Sequence, residues 1–282
     1  QLEEEGNALL RERLAALTGQ GESVTLLNTA GFERNDVVRL PAHISGALED
    51  EDGSRYPVQA LDTEAVAYVK GLPSKGFKSF RVVAGEAQSP FTQSGNTLET
   101  PYYTVVFDEN GMFSSIYDKR NDREILQPGK KGNRFCMYED KPMHYDCWDV
   151  DIYYTEKSWD AVQLTKMEWT SIGPVCAVLE MERPISNSLI RQKIFFYADT
   201  PRIDFETWVD WKEHQHLLKV HFPIDVHTDE ASFDVQFGNL TRKVHTNTSW
   251  DMARFESCGQ KWMDLSEGHY GVSLLNDCKY GH

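Results

Sequence analysis

The sequence predicts a mainly β protein in which a small β-sandwich is followed by a large antiparallel β-sandwich. Strand-like patterns recur along most of the 282 residues, and in the larger part no helical pattern separates them. Residues 203–211 alternate apolar with largely acidic side chains, as a half-buried antiparallel strand requires. Asn110 and Gly111 lie between two strand patterns, and Asn-Gly is a strong hairpin signal. Together these patterns indicate packed antiparallel sheets.

A short helix is predicted at the N-terminus. Leu10, Leu14 and Leu17 recur at helical spacing, with Glu and Arg between them. Gly19 is a suitable stop because glycine accepts the left-handed conformation that closes a helix. A single amphipathic helix cannot bury its apolar stripe alone, so residues 1–22 are expected to be the end of a helical domain.

The small β-sandwich is predicted over residues 23–86 and has the size of an immunoglobulin domain. An acidic turn over residues 49–53 interrupts its strand patterns, and residues 87–95, rich in Gly, Gln and Ser, are typical of a linker. The predicted strands are 24–27, 37–40, 64–69 and 77–83.

The large β-sandwich is predicted over residues 96–282. Its strand patterns are long, and no internal repeat or low-complexity segment breaks them. The predicted strands are 102–107, 112–117, 175–182, 189–197, 203–211 and 217–224.

Composition excludes several classes of partner. The net charge of −15 argues against a nucleic-acid or anionic-membrane surface, because both need clustered Lys and Arg. No stretch approaches the ~20 apolar residues of a membrane span. The five cysteines are scattered and odd in number, which is typical of reduced thiols in a cytoplasmic protein.

The two ends of the sequence do not resemble domain boundaries. Gln1 lies directly inside a helical pattern, and His282 follows a strand pattern. No signal peptide is visible. We therefore expect the sequence to be a part excised from a longer protein.

Residues 138–154 are the segment with the strongest functional pattern. They combine carboxylates with aromatic rings and have no regular hydrophobic period. Rings stack on the apolar face of a pyranose while carboxylates accept hydrogen bonds from its hydroxyls. The structural alternative is a turn whose rings plug the edge of the sandwich, and composition alone favours that alternative.

Two further chemistries have weaker support. His214 and His216, preceded by Glu213, could place zinc ligands on one side of a strand, but such short spacings often mislead. His221 and Asp225 are the one pair that could serve as the acid and base of an epimerase. No carboxylate pair has a spacing diagnostic of a glycosidase.

Four motifs carry a family resemblance: residues 28–34, 247–256, 261–268 and 270–281. In this succession they resemble the non-catalytic C-terminal half of family 38 glycoside hydrolases, the α-mannosidases, of the cytosolic and bacterial type. The resemblance runs from about residue 28 to residue 281. It implies that the large sandwich is galactose-mutarotase-like. Because the family continues beyond the equivalent of 279–281, it also implies that the large sandwich is C-terminally truncated here.

The resemblance implies the location of the chemistry. In the family, zinc and the aspartate nucleophile lie in an N-terminal domain that precedes the matching region, so no catalytic residue and no metal site are expected in this chain. A loop of the sandwich domain is expected to lean over the active-site mouth. Carried over to this sequence, its rim residues are Asp146, Trp148, Asp149 and Asp151.

The main hypothesis is that a longer parent enzyme hydrolyses terminal α-mannosides of oligosaccharides in the cytoplasm. This chain would supply scaffold and substrate rim, and would be inactive alone. Its expected partners are α-mannoside oligosaccharides and the rest of the same polypeptide, with neither nucleic acid nor membrane, and a homo-oligomer is left open. The alternative is a free-standing carbohydrate-binding domain or a mutarotase-like epimerase.

Overall fold

The computed structural model describes residues 2–18, 21, 23–146, 148–277 and 279–282. The chain is mainly β, as predicted, with several antiparallel sheets. Helix α1 (Leu2–Thr18) leaves every residue unburied, and Leu17 is 78% exposed. Leu10 is also exposed, whereas Leu14 is partly buried. The predicted stop at Gly19 lies outside the described residues.

The first sheet curls around one apolar core. Its strands follow the order β1-β6-β3-β4-β5-β2, and all neighbours are antiparallel. Leu48, Val69 and Phe80 are among the side chains buried inside it. The strands are β1 (Ser23–Asn28), β2 (Arg34–Pro41), β3 (Gly46–Glu49), β4 (Arg55–Ala60), β5 (Glu64–Leu72) and β6 (Gly76–Val83).

The second sheet contains the predicted hairpin, in the order β11-β10-β9-β8-β7. In its turn, Asp108 Oδ1 accepts the Asn110 and Met112 N–H groups at 3.0 and 2.9 Å, and Gly111 adopts φ +69°. The first strand of this sheet falls within the segment predicted to be a linker. The strands are β7 (Thr92–Ser94), β8 (Thr97–Glu99), β9 (Tyr103–Phe107), β10 (Phe113–Asp118) and β11 (Arg123–Glu124).

Two more sheets follow, with orders β13-β12-β18 and β14-β15-β16-β17. The inner side of the latter packs on the second sheet, where Phe113 and Phe196 meet edge to face at 6.3 Å between ring centroids. The strands are β12 (Arg134–Glu139), β13 (Ser158–Asp160), β14 (Lys166–Ile172), β15 (Cys176–Ile185), β16 (Ser188–Tyr197), β17 (Ile203–Asp210) and β18 (His216–His221).

The last sheet, of order β20-β19-β21-β22, is less buried than the others. Arg123 attaches it to the second sheet, because its guanidinium pairs with Glu267 at 2.6 Å and lies over the Tyr270 ring at 4.4 Å. The elements are β19 (Glu230–Val235), β20 (Gly238–Lys243), α2 (Ser249–Met252), β21 (Trp262–Glu267) and β22 (Tyr270–Leu275).

The first sheet joins the larger part through an apolar cluster that includes Val66 and Val178, and through a buried glutamine. The side-chain amide of Gln59 donates to Cys176 O at 2.9 Å, and its Oε1 accepts the N–H groups of Val175 and Cys176, both at 2.9 Å. Its amide also donates to Ser171 Oγ at 2.8 Å. A Cβ on Gly173 would lie 2.3 Å from Gln59 Cδ, so only glycine fits beside it. This junction fixes the position of the first sheet against β15.

Candidate functional site

Most of the predicted segment 138–154 lies in a long connection between β12 and β13, whereas Tyr138 and Glu139 end β12. We call this connection, residues 140–157 without the undescribed Cys147, the rim loop. A short 3₁₀ helix (Ile152–Glu156) lies near its end. Glu139 N donates to Lys157 O at 3.1 Å across the loop base, and Asp140 N donates to Gln215 O at 2.8 Å. Backbone hydrogen bonds therefore hold both ends of the loop on the β13-β12-β18 sheet.

Tyr154 anchors the loop from below. Its ring is buried and meets the Tyr138 ring edge to face at 5.2 Å. Its hydroxyl donates to Glu256 Oε1 at 2.6 Å and accepts from Lys219 Nζ at 3.1 Å, while Lys219 and Glu256 form an ion pair. Burial and the Glu256 carboxylate both raise the pKa of Tyr154. The contact between Tyr154 and Glu256, which are about 100 positions apart in sequence, thus holds the loop in place.

Tyr138 and His221 form a second polar contact beside this anchor. The Tyr138 hydroxyl lies 2.9 Å from His221 Nε2. Burial raises the pKa of Tyr138 to about 12. Burial and the nearby charges of Arg134 and Lys219 lower the pKa of His221 below 6.5, so the neutral imidazole is favoured.

The predicted acid and base of an epimerase have separate partners. His221 bonds to Tyr138, whereas Asp225 lies beyond the end of β18 and 3.7 Å from His227 Nε2. An epimerase needs its acid and base to converge on one sugar ring. The described contacts give no support to that use of the pair.

The four predicted rim residues occupy two levels of the loop. Asp146, Trp148 and Asp149 surround its exposed tip, and Trp148 is 88% exposed. The N–H groups of Trp148 and Asp149 both donate to Tyr145 O, at 2.7 and 2.9 Å, which tightens the turn. Asp151 lies lower, and its Oδ2 accepts the Met143 N–H at 2.7 Å. Asp151 therefore shapes the loop, whereas the other three present free side-chain surface.

Asp140 was not among the predicted rim residues, although it lies in the predicted segment. Its Oδ1 is buried and has no hydrogen-bond partner within the described part of the chain. Burial raises the pKa of the Asp140 carboxyl, and the charges of Asp146 and Asp151 raise it further. This carboxyl therefore keeps its proton to a higher pH than an ordinary aspartate does. The acidic composition of the segment was the only sequence signal for it.

The residues of the weaker zinc hypothesis have structural partners. Glu213 Oε1 accepts from Asn187 N at 2.7 Å and from Ser188 Oγ at 2.9 Å. His216 Nδ1 lies 2.6 Å from His214 O. Among the described residues, no group of three His, Cys, Asp or Glu side chains is arranged to hold a metal ion. The three described cysteines, Cys136, Cys176 and Cys258, are free thiols.

The chain is thus an assembly of antiparallel β-sheets with an acidic, aromatic loop at one sheet edge. Residues 98–282 match the family model described as "Glycosyl hydrolases family 38 C-terminal domain". The chain belongs to glycoside hydrolase family 38 and contains its C-terminal domain. The resemblance inferred from the sequence motifs is therefore confirmed.

Curated relatives extend the match to the N-terminal part of the chain. "Alpha-mannosidase G" of Dictyostelium discoideum is 32% identical over 289 residues, which covers 94% of this chain and 26% of that protein. Human "Alpha-mannosidase 2C1" is 32% identical over 281 residues, which covers 98% of this chain and 26% of that protein. The chain spans about a quarter of the length of these relatives.

A solved structure has the same fold. The alpha-mannosidase from Enterococcus faecalis V583 superposes with a TM-score of 0.75, covering 98% of this chain and 40% of that chain. At 16% identity, this likeness establishes the fold alone. In the described part of the chain, no helix has the length and apolar character needed to span a bilayer.

Proposed function

We propose that this chain is the non-catalytic β-sandwich region of a retaining α-mannosidase that cleaves terminal α-mannosides from oligosaccharides. The observation that carries this proposal is the match to proteins named α-mannosidases along 94% and 98% of the chain. The zinc and the nucleophile would then lie in other parts of the parent polypeptide. The scattered free thiols favour the cytoplasm as its location.

We also propose that the tip of the rim loop contributes to the substrate site. Trp148 offers a largely exposed indole, and Asp146 and Asp149 flank it with exposed carboxylates. An aromatic ring can stack on the apolar side of a pyranose, and carboxylates can accept its hydroxyl protons. The buried Tyr154 anchor supports this role, because a fixed loop loses little conformational freedom when it binds a ligand.

Steady-state kinetics of the full-length parent enzyme test the rim. Replacing Trp148 by Ala is expected to raise KM for a manno-oligosaccharide several-fold, with a smaller change for an aryl α-mannoside that has no second sugar to contact. Trp250→Ala is a matched control, since Trp250 is 77% exposed but lies in α2, outside the rim loop. If the Trp148→Ala and unmodified enzymes had the same KM and kcat on both substrates, the tip of the rim loop would have no part in substrate binding.

A further inference from the structure

A cleft of about 570 Å³ lies on the outer side of the β14-β15-β16-β17 sheet. This volume is within the usual range of small-ligand sites. One of its lining residues, Glu206 on β17, pairs with Arg39 of the first sheet. We call it the Trp208 cleft after the aromatic residue that lines it.

Trp208 lies on the edge strand β17 and is 53% exposed. The Arg191 guanidinium lies over its ring at 5.1 Å, and Arg191 Nε is in turn paired with Glu182 at 2.8 Å. A salt-bridged guanidinium therefore holds the indole in one orientation. The exposed part of the ring is available as a fixed, flat, apolar surface.

The charges around this ring are already paired. Three basic and three acidic side chains line the cleft, so its formal charge is zero. Glu180 pairs with Lys166 at 2.8 Å and with Lys193 at 3.0 Å. The remaining two acids, Glu182 and Glu206, pair with Arg191 and Arg39. A neutral, closely paired surface does not favour a polyanion or a polycation, yet it offers many hydrogen-bond donors and acceptors.

The surface also differs from a protein interface. Trp208 is the one exposed large hydrophobic residue among the described residues that line the cleft. Stable protein interfaces have an apolar core of several such side chains and are depleted in Lys and Glu. One aromatic ring surrounded by paired polar groups instead matches a ligand that has one apolar side and many hydroxyls.

We propose that the Trp208 cleft is a second carbohydrate-binding site that takes a neutral hexopyranose unit, with the sugar stacked on Trp208. The paired carboxylates and ammonium groups would exchange hydrogen bonds with its hydroxyls. This site is distinct from the rim loop, which belongs to the β13-β12-β18 sheet. The choice of mannosides as the first ligands to test rests on the proposed function of the parent enzyme. The proposal that the cleft binds a sugar does not rest on it.

The test uses the 282-residue chain labelled with 5-fluorotryptophan and titrated with α-mannobiose, α-mannotriose and, as a wider panel, gluco-, galacto- and xylo-oligosaccharides. Fluorine NMR resolves the seven tryptophans. We expect the Trp208 signal to move with saturation and Trp208→Ala to raise the Kd about 10-fold or more, roughly the contribution of an aromatic stacking contact with its buried area. Trp208→Tyr is expected to retain most of the affinity because it keeps an aromatic ring.

Two control variants separate this site from the rim. Trp250→Ala is expected to bind as the unmodified chain does, and thermal melts establish that each variant is folded. If Trp148→Ala loses affinity and Trp208→Ala keeps it, the proposed site at the cleft is overturned and the proposed site at the rim loop is supported. Saturable binding of a non-mannose sugar through Trp208 would support the cleft and separate it from the mannosidase proposal. Absence of binding to the whole panel would overturn the cleft.

Discussion

At the residue scale, Glu256 is the side chain on which the rim loop depends most. It accepts the Tyr154 hydroxyl at 2.6 Å and pairs with Lys219, and both partners are largely shielded from solvent. Removing the carboxylate leaves the Tyr154 hydroxyl without its acceptor and the Lys219 ammonium without its counter-charge. The main effect of this ion pair on stability is therefore that breaking it lowers the free energy of unfolding.

We expect Glu256→Ala to lower the free energy of unfolding by about 2 kcal/mol, as for a lost hydrogen bond to a charged group. Urea denaturation of the purified chain measures this. Glu139→Ala is the matched control because Glu139 also pairs with lysines, Lys141 and Lys157, but at the exposed base of the same loop. Exposed pairs contribute little, so its effect should be much smaller. Equal losses in both variants would contradict the anchor.

His221 gives a pH dependence whose sign follows from its burial. Burial and the charges of Arg134 and Lys219 lower the pKa of His221 in the folded chain, whereas the unfolded chain keeps about 6.5. Above pH 6.5 both states are neutral and the residue has no effect. Below that pH the unfolded state binds the proton first, so the folded state loses stability down to the folded pKa.

We therefore expect unfolding free energies measured from pH 7 to pH 5 to fall less steeply in His221→Gln than in the unmodified chain. An identical slope in the two proteins would mean that His221 does not titrate differently on folding.

At the scale of elements, the junction between the first sheet and β15 rests on Gln59. Replacing Gln59 by Ala removes the acceptor of two buried N–H groups, those of Val175 and Cys176. Each such group left unsatisfied costs about 1–3 kcal/mol. We expect a loss of about 2–4 kcal/mol in unfolding free energy, measured by chemical denaturation.

Gly173 gives the same junction a sharper test. Gly173→Ala should be strongly destabilising alone, because its Cβ would lie 2.3 Å from Gln59 Cδ. In the Gln59→Ala background the obstruction is gone, so the same substitution should cost much less. A double-mutant cycle measures this non-additivity. Additive effects of the two substitutions would show that the side chains do not meet.

The strands that sequence patterns predicted are those with a strong period or a clear turn. Residues 203–211 alternate regularly, and β17 covers them up to Asp210. The Asp108–Gly111 turn joins β9 to β10. The acidic turn at 49–53 was also predicted, but its flanking strands β3 and β4 were not. They are short, and Pro57 interrupts the pattern of the latter. Whether such short segments form strands depends on their pairing with neighbouring strands in the folded chain.

The candidate site was predictable only as a segment. The mixture of rings and acids in residues 138–154 drew attention to the loop, and the family resemblance implied that Asp146, Trp148, Asp149 and Asp151 are rim residues, which stays a prediction. The contact that anchors the loop, Tyr154 with Glu256, depends on how distant segments of the chain meet. No local period signals such contacts. The Trp208 cleft was hidden for the same reason, since in sequence it resembles an ordinary solvated strand.

At the scale of the whole molecule, the chain is a family 38 C-terminal domain preceded by a further β-sheet that is tightly joined to it. Hydrogen bonds of Gln59 hold the first sheet against β15, and the Tyr154 contact holds the rim loop. Under the proposed function, the zinc and the nucleophile lie elsewhere in the parent enzyme. That division of labour is the central claim.

The most direct measurement is the hydrolysis of an aryl α-mannoside by the purified 282-residue chain, with and without added zinc, compared with the full-length parent enzyme under the same conditions. We expect turnover by the parent enzyme and none by the chain in either condition. Mannoside hydrolysis by the isolated chain, free of full-length enzyme, would contradict it.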